Sequence, residues 1–265
     1  MPAEVSVIIT TYNSSGTLGR CLRSLLDLTG DDAPQAIVVF DNASSDGSFA
    51  IARGFRGVRA VGSDRNLGLA RANGIAAGLC GHGPVLLLNP DVIARPGSIS
   101  ALSEFCGSHP GVGIAGPRLL SPDGLIQHSA RSFPDPASIL ARRTPWGATP
   151  AGRAAIARHL PPPADRPSPV DWIVGAAMWV TAAGRERFGL MSPRYFLYFE
   201  DVDLCWRAWE SGSQVWLVPG ALMEHVSRRE SAGRPGKALL LHLASMLRFY
   251  SNHHGALSGR RPGVR

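Results

Sequence analysis

Lysine is almost missing from this 265-residue chain: Lys237 is the only one, and arginine carries the rest of the positive charge. No Gly-x-x-x-x-Gly-Lys-Ser occurs, so a phosphate-cradling loop of that type is excluded. Nor does the first apolar run lead into Gly-x-Gly-x-x-Gly. Its turn reads Thr11-Tyr12-Asn13-Ser14-Ser15-Gly16, which lacks the glycines that let a backbone approach a dinucleotide pyrophosphate. Nicotinamide and flavin enzymes are therefore disfavoured. Cysteine is scarce, and Cys21, Cys80, Cys106 and Cys205 lie far apart with no Cys-x-x-Cys pair. That spacing argues against a zinc site and predicts reduced, mostly buried thiols in a cytosolic protein. The most apolar windows, near 172–180 and 238–247, are too short or too polar to span a bilayer. The N-terminus opens directly into Val5-Ser6-Val7-Ile8-Ile9 without a basic flank, so no secretory signal is expected.

What is present is a chain able to build a large core. Hydrophobic residues make up 45% of it, far from a disordered composition. The net charge of +7 is placed unevenly. From His225 onward there are eight basic residues (Arg228, Arg229, Arg234, Lys237, Arg248, Arg260, Arg261 and Arg265) against one acid, Glu230. The preceding residues are neutral, with 19 basic and 19 acidic groups. A solvated tail is one reading; attraction to anionic lipid or to a substrate phosphate is the other. No recognition motif accompanies the charge, so nucleic acid is not an expected partner.

Apolar runs and helical spacings alternate along the first half. Strands are expected at Val5–Thr11, Ala36–Phe40, Val58–Val61 and Pro84–Leu88. Helices are expected at Ser15–Leu28, Ser48–Phe55, Asn66–Leu79 (Asn66 near its N-cap) and Ser98–Cys106. This order predicts an α/β fold with a mostly parallel sheet covered on both faces. The second half is less regular. Short strands are expected at Val112–Ala115 and Gly124–Ser129, and order returns at Trp172–Val180. A helix over Asp201–Trp209, a strand over Val215–Val218 and an amphipathic helix over Lys237–Tyr250 follow. Residues 134–169, rich in proline, alanine and arginine, read as a mobile excursion with one helix near Gly152–Leu160.

Polar groups gather where the strands end. Ligands of open parallel sheets bind outside the carboxyl ends of the strands. Here those ends read Thr10-Thr11-Tyr12-Asn13, Asp41-Asn42-Ala43-Ser44-Ser45-Asp46-Gly47 and Asn89-Pro90-Asp91. Asp41 is either a hydrogen-bond acceptor for a ribose or base, or the start of a polar turn. One carboxylate such as Asp91 suffices for Mg²⁺ when substrate phosphates supply the remaining ligands. Further on, the aromatic run Phe196-Leu197-Tyr198-Phe199 leads into Glu200, Asp201 and Asp203. A carboxylate in such a partly dry setting serves as a general base, binds a cation, or caps a helix.

These motifs, with Asn66-Leu67-Gly68, occur in an order that resembles the family 2 glycosyltransferases of GT-A fold, and within them the bacterial rhamnosyltransferase-like members. The resemblance runs from about Val5 to Ser231. It implies a Rossmann-like, mostly parallel central sheet with a smaller mixed sheet on the acceptor side. It implies inverting transfer of a sugar from a dTDP- or UDP-linked donor to a glycan or lipid-linked acceptor. Thr11, Tyr12, Asn13, Asp41, Asn66, Gly68, Arg71 and Asn89 would then border the nucleotide sugar. Asp91 and His225 would hold Mg²⁺ or Mn²⁺, Asp201 would be the catalytic base, and Glu200 would orient acceptor hydroxyls. Asp203 would support the following helix. The chain departs from the usual Asp-x-Asp metal motif in carrying Asn89-Pro90-Asp91, and its 225–231 loop is unusually basic. Arg228 and Arg229 would take over part of the charge neutralisation there.

The expected organisation is a glycosyltransferase domain over 1–234, with a nucleotide-binding half to about 118 and an acceptor half over 119–234. A C-terminal amphipathic helix and basic tail over 235–265 would follow. The implied location is cytoplasmic, at the inner face of the cell membrane. A non-catalytic nucleotide-sugar or glycan-binding module on the same fold is the alternative, and Asn89 is its main support. A nucleotidyltransferase would need a glycine-rich basic loop after the first strand, which is absent.

Overall fold

The computed structural model describes residues 3–142, 144–226 and 235–262. Its first half alternates strand and helix as the sequence pattern predicts: β1 (Ala3–Thr11), α1 (Ser15–Leu26), β2 (Pro34–Asp41), α2 (Ser48–Arg53), β3 (Val58–Gly62), α3 (Leu69–Ala77) and β4 (Val85–Leu88). Then come β5 (Val92–Ala94), α4 (Ser98–Ser108), β6 (Val112–Leu120), β7 (Ala130–Arg131), α5 (Pro136–Ala141) and α6 (Pro150–His159). The chain continues through β8 (Ser168–Pro169), β9 (Trp172–Ile173), β10 (Ala177–Val180), α7 (Ala182–Phe188), α8 (Glu200–Glu210), β11 (Gln214–His225) and α9 (Pro235–Asn252).

The main sheet has the order β3-β2-β1-β4-β10-β6-β11-β5, with β8 also on β11. β3, β2, β1 and β4 are parallel, as are β6 and β11, while β10 runs antiparallel between β4 and β6. A second, two-stranded antiparallel sheet pairs β7 with β9.

Strand residues alternate between two cores because successive side chains point to opposite faces. Val5, Val7 and Ile9 of β1 and Leu86 and Leu88 of β4 pack with Leu18, Leu22 and Leu25 of α1 and with Ile99 and Leu102 of α4. Ile8, Val85 and Leu87 face the other way, toward Ala72 and Ala76 of α3, Val202 and Trp206 of α8 and Phe249 of α9. Trp206 is therefore core, and Trp209 donates its indole N–H to the carbonyls of Val170 and Asp171.

Several expectations are corrected. Asn66 is not a helix cap: α3 begins at Leu69, after Gly68, and the Asn66 carboxamide instead accepts the N–H of Gly68. Gly124–Ser129 forms no strand beyond a single bridge between Leu120 and Ile126. The 134–169 excursion is folded rather than loose. Asp135 caps α5 in a reciprocal box with Ser138, and Thr149 caps α6. Both caps precede a proline at the first helical position, where its missing N–H costs nothing. Those prolines open helices here rather than break them.

Candidate active site

The parallel strands deliver three polar ends to one edge. Thr11 pairs with Asp41 across β1 and β2, and Ile9 pairs with Leu88 one residue before Asn89. Asp41 is 3% exposed, and its Oδ2 accepts the N–H of Ser44 at 2.9 Å. Its Oδ1 and the neighbouring Thr11 hydroxyl are both buried without a hydrogen-bond partner among the described residues. Buried polar atoms are normally paired, so two orphans side by side at a strand end ask for a ligand. The following turn is built to hold them. Asn13 and Ala43 take positive φ angles of 52° and 66°. The Asn13 side-chain Oδ1 accepts the Ser45 N–H, and Asp46 accepts the Ser15 and Ser48 N–H groups. Burial is the largest single influence on the Asp46 carboxyl and raises it, but the bonds from the Ser48 hydroxyl and from those N–H groups together outweigh it and hold the group at about 2.

Asn42 donates to Asn66 at 3.0 Å and accepts the Leu67 N–H at 2.7 Å, fixing the 66–68 loop beside Asp41. Gly68 has φ +84°, and a Cβ there would lie 2.6 Å from the Phe196 carbonyl oxygen. Its lack of a side chain thus seats the Phe196–Phe199 run against α3. Tyr12 is half exposed and Arg71 is exposed on the first turn of α3.

That run ends in strained backbone. Tyr198 and Phe199 have φ angles of 70° and 65°, uncommon for aromatic residues. The Phe199 ring is pinned against His242 and Phe249, at 5.2 and 5.5 Å between centroids. The strained turn starts α8 and turns Glu200 and Asp201 inward. Strain of this kind costs on the order of 1–3 kcal/mol per residue and concentrates at functional sites.

Asp201 Oδ2 accepts the Gly175 N–H at 2.9 Å, and Oδ1 accepts the Val202 N–H at 2.9 Å. A Cβ on Gly175 would sit 3.3 Å from the Asp201 Cβ, a tight contact that glycine avoids. Burial raises the Asp201 carboxyl, against the opposing pull of those N–H groups and of the Arg131 charge. Glu200 is buried, with Oε2 unpartnered among the described residues. Burial first, and then the charge of Asp201, push its carboxyl up to about 8. Asp203 does a different job. It accepts from Tyr195, Arg207 and His253, tying α8 to the chain just beyond α9.

One residue beyond Gly175, the Ala176 carbonyl accepts the Asn89 N–H at 2.9 Å. The 175–176 backbone therefore bridges Asp201 to the Asn89-Pro90-Asp91 turn. There Asp91 Oδ1 accepts no hydrogen bond from the described residues, and His225 Nε2 lies 3.5 Å from it. Among the described residues no cluster of three or more His, Cys, Asp or Glu side chains forms. A carboxylate oxygen without a donor, facing an imidazole nitrogen, nonetheless suits a divalent cation whose other ligands come from a diphosphate. Arg228 and Arg229 lie outside the described residues.

The sequence reading missed Gln127, which touches His225 twice, and Arg131, whose charge acts on Asp201. Neither stands in a motif. The role of Gly175 was only partly legible, as one small residue in an apolar run.

A family model described as glycosyl transferase family 2 matches residues 6–150. The chain is 30% identical, over 96% of its length and 86% of the relative's, to the N-acetylglucosaminyl-diphospho-decaprenol L-rhamnosyltransferase of Mycobacterium tuberculosis. A shorter stretch, 30% of each chain, is 32% identical to rhamnosyltransferase WbbL of Escherichia coli K12. Among solved structures, GalNAc-T7 with UDP, GalNAc and Mn²⁺ matches 94% of this chain with a TM-score of 0.67 at 18% identity. S. aureus TarS 1-349 in complex with UDP matches 92% with a TM-score of 0.58 at 14% identity. The chain spans 48% and 65% of those two structures' lengths. At such identities the likeness establishes the shared fold.

Proposed function

The chain belongs to glycosyl transferase family 2 and is a glycosyltransferase, and from that premise we propose that it moves a sugar, rhamnose in the first instance, from a dTDP- or UDP-linked donor to a lipid-linked glycan acceptor with inversion at the anomeric carbon. The observation that carries this reading is the bridge through Gly175 and Ala176, which links the half-buried Asp201 carboxylate to the turn that bears Asp91.

The residues divide the work by chemistry. Asp41 Oδ1, buried and lacking a donor among the described residues, accepts the ring N–H that uracil and thymine both offer. Asp91 and His225 hold a Mg²⁺ or Mn²⁺ ion, and when bound it offsets the charge gathering on the diphosphate. Asn89 contributes no charge, and Arg228 and Arg229 supply the remaining compensation. Asp201 takes the proton from the acceptor hydroxyl. Burial keeps it basic, and two backbone N–H groups hold it in place. One base opposite one leaving group makes a single displacement. Glu200, kept protonated near neutral pH by its burial, donates to an acceptor oxygen rather than competing for the proton.

The relative's lipid-linked acceptor and the outward leucines of α9 support work at the inner face of the cell membrane. No described helix is long and apolar enough to cross a membrane. Residues 1–234 carry the catalytic residues, with a nucleotide half ending near 118 and an acceptor half following, and α9 adds a buried face to this core and an outward face turned to the membrane.

Asp201→Asn tests the assignment. Sugar transfer is expected to fall about 10²–10⁴-fold with unchanged circular dichroism and donor affinity, since a positioned base is commonly worth that much. Transfer at the native rate by the folded variant would remove Asp201 from the mechanism. A binding module without catalysis would instead leave the native chain inert, with no donor hydrolysis in Mg²⁺ or Mn²⁺.

A further inference from the structure

Gln127 makes two contacts with one residue. Its Nε2 donates to the backbone carbonyl of His225 at 2.9 Å, and its Oε1 lies 2.8 Å from Nδ1 of the same histidine. The two fix each other's chemistry. A carbonyl oxygen can only accept, so the amide nitrogen of Gln127 must face it. The amide oxygen is then left facing Nδ1, and an amide oxygen can only accept. Nδ1 must therefore carry a hydrogen. In the neutral ring the lone pair then belongs to Nε2, the nitrogen 3.5 Å from Asp91 Oδ1.

A histidine beside a carboxylate would otherwise favour the opposite tautomer, giving its Nε2–H to the acid. The 3.5 Å separation exceeds an ordinary N–H···O bond, and Asp91 Oδ1 accepts none from the described residues. The backbone holds every party in place. Gln127 N–H donates to Leu119 and its carbonyl accepts from Ser129. His225 pairs with Val92 across β11 and β5, and the Val226 N–H donates to the Asp91 carbonyl.

We propose that Gln127 is a positioning residue that locks His225 in its Nδ1–H tautomer, so that the Nε2 lone pair and the Asp91 carboxylate face one divalent cation. This rests on the cation reading of the same site given above. Partners that orient a metal-ligating histidine typically matter 10–100-fold in metal affinity.

Two measurements test it. The first is the ¹⁵N spectrum of the histidine rings in the metal-free full chain at about pH 8, with His225 assigned by its loss in His225→Ala. A protonated Nδ1 and a bare Nε2 are expected; a protonated Nε2 would overturn the proposal whatever the metal does. The second is Mn²⁺ titration followed by electron paramagnetic resonance, with UDP as the accompanying nucleotide. Gln127→Leu is expected to weaken Mn²⁺ about 10–100-fold and to mix the two tautomers, while UDP affinity without metal stays unchanged. Native Mn²⁺ affinity in Gln127→Leu, beside a loss in His225→Ala, would overturn the role of Gln127 and leave the cation site standing. Native affinity in His225→Ala would overturn the cation part instead, with the tautomer still read from the unaltered protein.

Discussion

At the scale of single residues, the site depends on what Gly175 leaves out. Gly175 is where a methyl group would press on the Asp201 side chain, 3.3 Å from its Cβ. Its φ is not in the left-handed region, so alanine there is compatible with the backbone. Gly175→Ala is therefore expected to fold normally yet lower kcat by up to about tenfold, since Asp201 must give way by a few tenths of an ångström and catalysis is sensitive to such misplacement. Steady-state kinetics with a thermal melt would check both halves. Glu200 gives a prediction in pH. Its folded carboxyl titrates near 8, well above the ordinary value of 4.5, because of burial and then the Asp201 charge. The stability it contributes is full below the ordinary value and is lost as pH rises through about 8. Glu200→Gln removes that loss. Melting temperatures of variant and native chain, taken from about pH 5 to about pH 9, should diverge steadily in the variant's favour.

At the scale of elements, α8 and the end of α9 are joined through Asp203. Burial alone would raise its carboxyl, but the hydrogen bond from His253 and the charge of Arg207 hold it below the usual range. A depressed folded value means the contribution is present above the unfolded value and disappears as acid reaches the folded one. His253→Ala removes one partner, so acid unfolding followed by circular dichroism should move to higher pH. Phe249 is fully buried among Phe199, Trp206 and His253. Phe249→Ala is expected to cost about 3–5 kcal/mol in denaturant unfolding. It should also lower activity, because the same ring braces the strained turn before Glu200. The elements that sequence exposes best are the ones whose cues are local. The β-branched run of β1, the leucine spacing of α1 and the acids opening α8 all matched. Of the two helices in 134–169, α6 matches the helix expected near Gly152–Leu160, whereas α5 is hidden because Asp135-Pro136 reads as loop composition although it is a cap. Gln127 escaped because its meaning is a contact 98 positions away, and no spacing rule reaches that far.

At the scale of the whole molecule, the outward side of α9 matters most. Leu240, Ala244, Leu247 and Arg248 are exposed and spaced along one helical face, with Leu240 and Leu247 at 69% and 65%. They share the C-terminal region with all the excess positive charge. An apolar stripe in a basic setting suits an anionic bilayer surface. Co-sedimentation with phosphatidylglycerol-rich vesicles is expected, weakening with added salt. Leu240→Asp combined with Leu247→Asp should reduce it tenfold or more, as burying one leucine is worth about 1.5–3 kcal/mol. Retained binding in that variant would show that α9 is not the contact.

The Gly175–Ala176 dipeptide reaches in two directions, to Asp201 on one side and to Asn89 on the other. With Asp201 as the proposed base and Asp91 at the proposed diphosphate site, proton removal and leaving-group departure would be geared to one dipeptide. A shift at one end would then be felt at the other, so under that reading differences in the sugars joined would fall to the periphery, with this pivot kept still.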